Sequence, residues 1–416
     1  MHHFIIAQVL CEMGVRLPQR KFLRELFWTW FTVRGRFNYT NVSRYVACDE
    51  RTLRRWFARG FDWLGFNGRL LDRMLPAGDE LIAAQDASFV PKSGKHTHGL
   101  GYFFNGGASR SEKGLEVSLV SVVDVTQGTA YALSAMQTPP GEVDAGKGKK
   151  KKPRGEKKRP SPGKETADTR IDVYLRHFQS ARAFLPKRVR HLAVDGYFAK
   201  EKFVNGVCAL NMDVVGKLRS DASAKYLYNG PRQGRGRPKL YADKVQWSNP
   251  DMRRWKDEGA FGAGMNLYTA VLRHTSLKRA IRVAMLVETK SGRRALLFST
   301  DTQLDARTIV GYYKARFQIE FLFRDAKQGA GLNHCQARNA PALDFHWNLA
   351  LCAVNLAKWR EKRCTQKKRF SLASCKQRLG NEQLLELFSR GLGLDLNFVK
   401  SHPAYQHPCN YGVILP

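Results

Sequence analysis

The chain changes its hydrophobic period several times, and each change marks a different kind of element. Residues 1–75 carry apolar side chains at helical spacing and read as a helical region. Within it, residues 41–57 read as a helix-turn-helix. A first helix turns Val42, Tyr45 and Val46 inward, the turn falls at Cys48 and Asp49, and a second helix buries Leu53, Trp56 and Phe57. Arg51, Arg54, Arg55 and Arg59 are then left outward, as a helix that meets phosphates and base edges requires. An ordinary amphipathic pair in a bundle would show the same apolar pattern.

From residue 78 the patterning becomes strand-like. Residues 80–86 predict a strand ending in Asp86. Residues 114–125 form a long β-branched run, and residues 129–136 follow a Gln127-Gly128 turn, which predicts an antiparallel pair. Residues 167–217 read helix, strand, helix, strand. The first of these strands, residues 189–195, again ends in an aspartate, Asp195. Gly196, Tyr197 and Phe198 then turn into a helix from Ala199, and residues 212–217 give a further strand. Residues 220–300 break the alternation with strands at 267–274, 280–287 and 294–299. A helix follows from about residue 304, and residues 340–416 read as mostly helical.

Composition adds a partner. The 416 residues, 43% of them hydrophobic, can bury a large core or two, and the length suggests two or three domains. Lys plus Arg is 70 against 36 for Asp plus Glu, a net charge of +34. A surplus that large repels itself and implies a polyanion, most often nucleic acid. A structural RNA-binding protein is the competing class, but such chains are usually shorter and poorer in aromatics. None of the eight cysteines forms a C-x-x-C pair, which argues against zinc, and scattered single cysteines suit a reducing cytoplasm. No run of 18 apolar residues predicts a membrane span, and residues 1–12 are too short for a signal peptide. The expected location is the cytoplasm, associated with the nucleoid.

Two segments concentrate the charge. Residues 147–159 hold nine Lys or Arg and one Glu, so residues 141–166 read as a disordered basic loop, either on DNA backbone or a solvated insertion. About +26 of the charge lies elsewhere, so the folded part is basic too. Gly234-Arg235-Gly236-Arg237-Pro238-Lys239 resembles the core of an AT-hook, whose arginines lie in a narrow A·T minor groove. A plain basic turn is the alternative.

Candidate chemistry sits in residues 312–327. On one helix, Tyr313, Arg316, Glu320 and Lys327 fall within roughly 60° of one another at 100° per residue, with Arg324 at the edge of that wedge. Phe317, Phe321 and Phe323 flank it and place it beside a core. A carboxylate among cations can hold a divalent metal while its neighbours hold phosphates. With Asp86 and Asp195 at strand ends, Glu320 completes a set of three acids. Strand-end carboxylates converging with a helix carboxylate is the geometry of a ribonuclease-H-like α/β fold, and three carboxylates can place two Mg²⁺ ions for phosphodiester chemistry.

The spacing Tyr-x2-Arg-x3-Glu-x6-Lys at 313–327 resembles the signature of bacterial insertion-sequence transposases, the DDE enzymes of the insertion-sequence-four family. Asp195-Gly196-Tyr197-Phe198 is similar to the pattern around that family's second aspartate. The resemblance covers roughly residues 75–345. It implies a ribonuclease-H-like core at 76–218, interrupted by a β-rich insertion at 219–303 and resumed by a core helix at 304–345; the helical DNA-binding region at 1–75 and the helical region at 346–416, read from the pattern, flank it. It further implies Asp86, Asp195 and Glu320 as ligands of two Mg²⁺ ions (Mn²⁺ substituting) and Tyr313, Arg316 and Lys327 as phosphate holders. The expected partners are double-stranded DNA, at terminal inverted repeats and at a target, and a second copy of the chain during synapsis. Some relatives stack a flipped base on a Trp of the insertion. Trp247 and Trp255 are the candidates here, with core packing the better-supported role for both. A metal-dependent nuclease and a transposase-derived regulator are the rival readings.

Overall fold

The computed structural model describes residues 2–140, 168–228, 230–231, 238–364 and 370–414. The Lys-rich segment 141–166, and Arg235 and Arg237 of the AT-hook-like run, lie outside the described residues. In chain order the first helices are α1 (His2–Glu12), α2 (Leu17–Thr32), α3 (Tyr39–Val42), α4 (Glu50–Ala58) and α5 (Trp63–Met74). Strands β1 (Leu81–Pro91), β2 (Gly101–Asn105), β3 (Arg110–Asp124) and β4 (Thr129–Thr138) follow. Then come α6 (Arg170–Arg182), β5 (His191–Ala193), α7 (Glu201–Cys208) and β6 (Asp213–Lys217). The later strands are β7 (Ala224–Leu227), β8 (Tyr241–Lys244), β9 (Lys256–Ala260), β10 (Met265–His274), β11 (Arg279–Glu288) and β12 (Arg294–Ser299). The chain closes with α8 (Ala306–Ala315), α9 (Gln318–Gly329), α10 (Ala340–Cys364), α11 (Leu372–Gly391), α12 (Leu396–Ser401) and α13 (Gln406–Cys409).

All twelve strands join one mixed sheet. Its path runs β4-β3-β1-β5-β6-β12-β11-β10, with β2 on the first part of β3, β7 and β9 on β10, and β8 on β7. The β1–β5 and β5–β6 pairs are parallel, and every other pair is antiparallel. Parallel neighbours need crossovers, and α6 and α7 supply them. The strands at 219–303 continue this sheet, because β12 hydrogen-bonds antiparallel to β6. From Leu115 to Asp124, β3 is buried at every position, so it reads as a continuous apolar run rather than an alternating one.

The sheet stops at β4 for a specific reason. An edge strand exposes a row of backbone donors and acceptors. Here α10 lies along that edge and fills them with side chains. Asn355 exchanges two hydrogen bonds of 2.8 Å with the N–H and C=O of Ala132. Asn348 does the same at Ala135 (2.8 and 3.0 Å), and Lys358 donates to the carbonyl of Ala130 at 2.7 Å. From α5, Asn67 donates to the carbonyl of Leu133 at 2.9 Å. Each of these four residues is less than 9% exposed.

The N-terminal helices pack onto the same core. Phe57 of α4 meets Phe345 of α10 with ring centroids 4.4 Å apart, and Trp30 of α2 donates to the carbonyl of Ala330 at 2.9 Å. The expected helix-turn-helix is altered in its first half. α3 is one turn, and Tyr45 and Val46 fall in turns and bends after it. β-branched Val42 and Val46 and the hydroxyl-bearing Thr40 and Ser43 favour that short run poorly as helix. The second helix forms: Asp49 caps it by accepting from Thr52 N–H at 2.7 Å, and Leu53 and Phe57 are buried while Trp56 is half-buried. Within the later strands Trp255 is buried and Trp247 half-buried, with ring centroids 6.2 Å apart. Trp255 Nε1 donates to the Tyr226 hydroxyl at 3.2 Å. Among the described residues no helix is long and apolar enough to cross a membrane, and Cys11, Cys48, Cys208, Cys335, Cys352, Cys375 and Cys409 are free thiols.

Candidate functional site

The site begins with strand register. β1 pairs with β5 at Ala83↔Leu192 and Ala84↔Ala193 and no further. Two residues beyond that last pair stand Asp86 and Asp195, on strands running in the same direction. The alternation of side chains puts them on the face of Ala84 and Ala193. The sequence reading placed Asp86 at a strand end, and the structure corrects this. β1 runs on to Pro91, held by its antiparallel ladder to β3 as far as Pro91↔Gly114. What ends at Asp86 is the parallel pairing, because β5 is only three residues long. Asp195 does leave its strand. It caps the 3₁₀ turn Gly196–Phe198, accepting from Tyr197 N–H at 2.9 Å, and α7 then starts at Glu201 rather than at Ala199.

Glu320 arrives from α9. Residues 312–327 form two helices instead of the single helix that the spacing suggested. α8 ends at Ala315 and α9 begins at Gln318. Across the joint the amides of Phe317, Ile319 and Glu320 bond to carbonyls three residues back, at 3.0–3.1 Å, so the turn tightens. The tightening leaves Phe317 46% exposed, whereas Phe323 is buried; the flanking apolar wall is therefore partial. It also turns Arg316 inward to 9% exposure.

Arg316 ties the acids together. Its guanidinium donates to Asp86 Oδ2 at 3.3 Å and to Glu320 Oε1 at 3.2 Å. It also lies 5.6 Å from the centre of the Tyr313 ring. Lys327 reaches from the far end of α9 to β1, donating to Ser88 Oγ at 2.8 Å and to the Phe89 carbonyl at 2.7 Å. Arg324 does not join this group: it is exposed and pairs with Asp325 at 3.1 Å. Arg51, Arg54, Arg55 and Arg59 all lie outward on or beside α4. Arg54 pairs with Glu50 and Arg59 covers the Trp56 ring at 4.6 Å.

The electrostatics show a buried carboxylate with acidic neighbours. Burial pushes Asp86 up to about 6, opposed by the Ala87 N–H; Asp195 raises it, Arg316 lowers it, and Glu320 raises it. Burial also raises Tyr313, keeping its hydroxyl protonated, and lowers Lys327. Three carboxylates against one central guanidinium leave room for a divalent cation, and an all-oxygen donor set suits a hard one.

Sequence reasoning missed a second group. His191, Asp213 and Asp301 bring one donor atom each within 4.8 Å of one another, a spacing that could hold a metal ion. His191 Nε2 stands 3.5 Å from Asp301 Oδ2, and Asp213 Oδ1 accepts from Thr300 Oγ1 at 2.7 Å. His191 and Asp213 are the paired first residues of β5 and β6. They therefore sit at the opposite end of the strands from Asp195, about 13 Å away at ~3.3 Å per residue. Three residues from three separate segments leave no local signal in the sequence.

A mixed sheet that gathers carboxylates and cations, in a chain of charge +34, suits phosphodiester chemistry. The chain belongs to the DDE superfamily endonucleases, whose family matches residues 33–271, more than half of its length. The matched span contains Asp86 and Asp195 and ends before Glu320. No curated protein matches the chain. Membership implies an endonuclease or transposase acting on DNA, in a family whose members generally use divalent metal ions.

Proposed function

We propose that the protein is the DNA transposase of a bacterial insertion sequence, cutting and joining strands at Asp86, Asp195 and Glu320. The observation that carries this is the register that sets Asp86 beside Asp195, with Arg316 bridging Asp86 to Glu320. The strand order β4-β3-β1-β5-β6, with its last three strands parallel, supports a ribonuclease-H-like core. The spacing from Tyr313 to Lys327 supports the insertion-sequence-four type.

Asp86, Asp195 and Glu320 would hold two Mg²⁺ ions, Mn²⁺ substituting, which when bound stabilise charge on the attacking and leaving oxygens of the phosphodiester. The chain's own residues do the rest. Arg316 offsets carboxylate repulsion and holds Asp86 and Glu320 to one guanidinium. Lys327 fixes α9 against β1 and sets a positive charge beside the strand end. Tyr313 offers a hydroxyl as a hydrogen-bond donor to a phosphate oxygen. Water and then a 3′-OH act as nucleophiles, so no side chain needs to form a covalent intermediate. The helical region 1–75 would recognise the terminal inverted repeats, and two copies would pair the element's ends, in the cytoplasm or nucleoid where the DNA lies.

The test is strand cleavage on DNA carrying the element's own flanking repeats, in Mg²⁺ or Mn²⁺, for wild type and Glu320→Gln. Metal-dependent 3′-OH ends that vanish in the variant, followed by joining to a second DNA, are the expected result. Cleavage without joining would reduce the protein to a nuclease. Binding without cleavage in both proteins would refute the catalytic assignment.

A further inference from the structure

Farther along β1 from the carboxylates lies a cleft of about 880 Å³, enclosed by residues before and on α4, by the β1–β2 connection and by the segment between α9 and α10. Five cations line it: Arg36, Arg54, Lys92, Lys95 and Arg338. None of its lining residues is an Asp or Glu. Such one-signed walls focus a field and collect counter-ions.

The walls are tied to one another. His98 N–H donates to the Arg338 carbonyl at 2.8 Å, Lys92 donates to the Cys335 carbonyl, and Phe37 N–H donates to His334 Nδ1 at 3.2 Å. Lys92 is thereby used as a strut, and burial lowers its pKa. Arg54 is engaged by Glu50 and the Tyr39 ring. Arg36, Lys95 and Arg338 are exposed, and among the described residues none of them has an acidic partner. Three unneutralised cations on three different segments form a track, too broad for a single small anion.

We propose that this cleft seats the phosphate backbone of the same duplex whose end lies at Asp86, bound by the same protomer. This rests on the reading of DNA as substrate and gives that DNA a path. β1 sets the direction: it runs from Asp86, past Ser88 and Phe89 where Lys327 is anchored, to Pro91 and Lys92 in the cleft wall. Five residues of strand span about 17 Å at ~3.3–3.4 Å each. At about 3.4 Å per base pair, the cleft meets backbone roughly five base pairs from the scissile phosphate. α4, whose Arg54 lines the same cleft, then approaches that arm in cis.

The experiment measures binding of a labelled random-sequence duplex by anisotropy across a salt series in EDTA. It compares wild type, the triple variant Arg36→Ala, Lys95→Ala, Arg338→Ala, and a control, Lys290→Ala with Arg293→Ala, at exposed positions outside the cleft. Releasing three phosphate contacts should make the slope of log K against log salt shallower by about 2.7, at ~0.9 per phosphate, while the control keeps the wild-type slope. A hydroxyl-radical footprint on cleavable DNA should lose protection about five base pairs from the cut in the triple variant only. An unchanged slope in the triple variant, an equal loss per charge in the control, or an unchanged footprint would overturn the proposal. Because the salt series needs neither metal nor cleavage, a protein that cuts nothing could still show the slope change. That outcome would remove the transposase reading and leave the cleft standing.

Discussion

Replacing Asp86 with Asn removes a charge that the fold holds at a disadvantage. Burial raises this carboxyl from 3.8 to about 6, with Asp195 and Glu320 adding to the rise, while the Ala87 N–H and Arg316 oppose it. A gap of about 2 pH units corresponds to about 3 kcal/mol, at 1.36 kcal/mol per unit. The unfolded chain releases this proton near its ordinary value, whereas the folded chain holds it to about pH 6. The stability contributed by the protonated form is therefore full below the ordinary value and lost as the pH rises through about 6. Asn is neutral in both states and escapes that loss. Metal-free Asp86→Asn should accordingly be more stable than wild type at about pH 8, by up to about 3 kcal/mol, with the advantage shrinking toward about pH 4. Urea unfolding in EDTA across that range measures it, as a shift in midpoint at constant m. Adding Mg²⁺ should reverse the order, because the cation stabilises only the form that binds it. A destabilised variant at high pH, or an advantage that does not change with pH, would refute the argument that burial, with its acidic neighbours, penalises the charge on Asp86.

Three further outcomes follow from the same geometry. Metal-dependent cleavage at subsaturating Mg²⁺ should fall as the pH drops through about 6, where Asp86 takes up its proton; a profile flat to pH 5 would contradict this. Tyr313→Phe should slow strand transfer by about tenfold, near 1.4 kcal/mol, without abolishing it, and complete loss in a folded protein would implicate the hydroxyl in the chemistry itself. Asn355→Leu strands the N–H and C=O of Ala132 on the edge of β4 and should cost about 2–3 kcal/mol in urea unfolding. A change within about 0.5 kcal/mol would mean that water replaces the side chain there.

Much of the site was written locally. Asp86 and Asp195 each close a short strand-like stretch, and Glu320 sits at helical spacing from Tyr313, Arg316 and Lys327. Strand and helix periods depend on neighbours a few residues away, so a single chain displays them. The arginines of α4 were legible for the same reason, since the apolar stripe of Leu53 and Phe57 leaves only one side for them.

Distance along the chain hid the rest. Asn348, Asn355 and Lys358 look like polar positions of a helix, yet they are buried as the missing partners of β4, more than 200 residues earlier. The inward turn of Arg316 came from a shift to tighter hydrogen bonds between α8 and α9, which an ideal helical wheel does not contain. The cleft combines cations from positions near 36–54, 92–95 and 338, and the group of His191, Asp213 and Asp301 likewise spans three segments. Residue type and period settled which elements form and which side chains could do chemistry. Which of those side chains meet was decided by the parallel register of β1 with β5 and by the packing of α9 and α10 on the sheet. Both are set by hydrogen bonds and burial between remote segments, and no short window of sequence contains both partners.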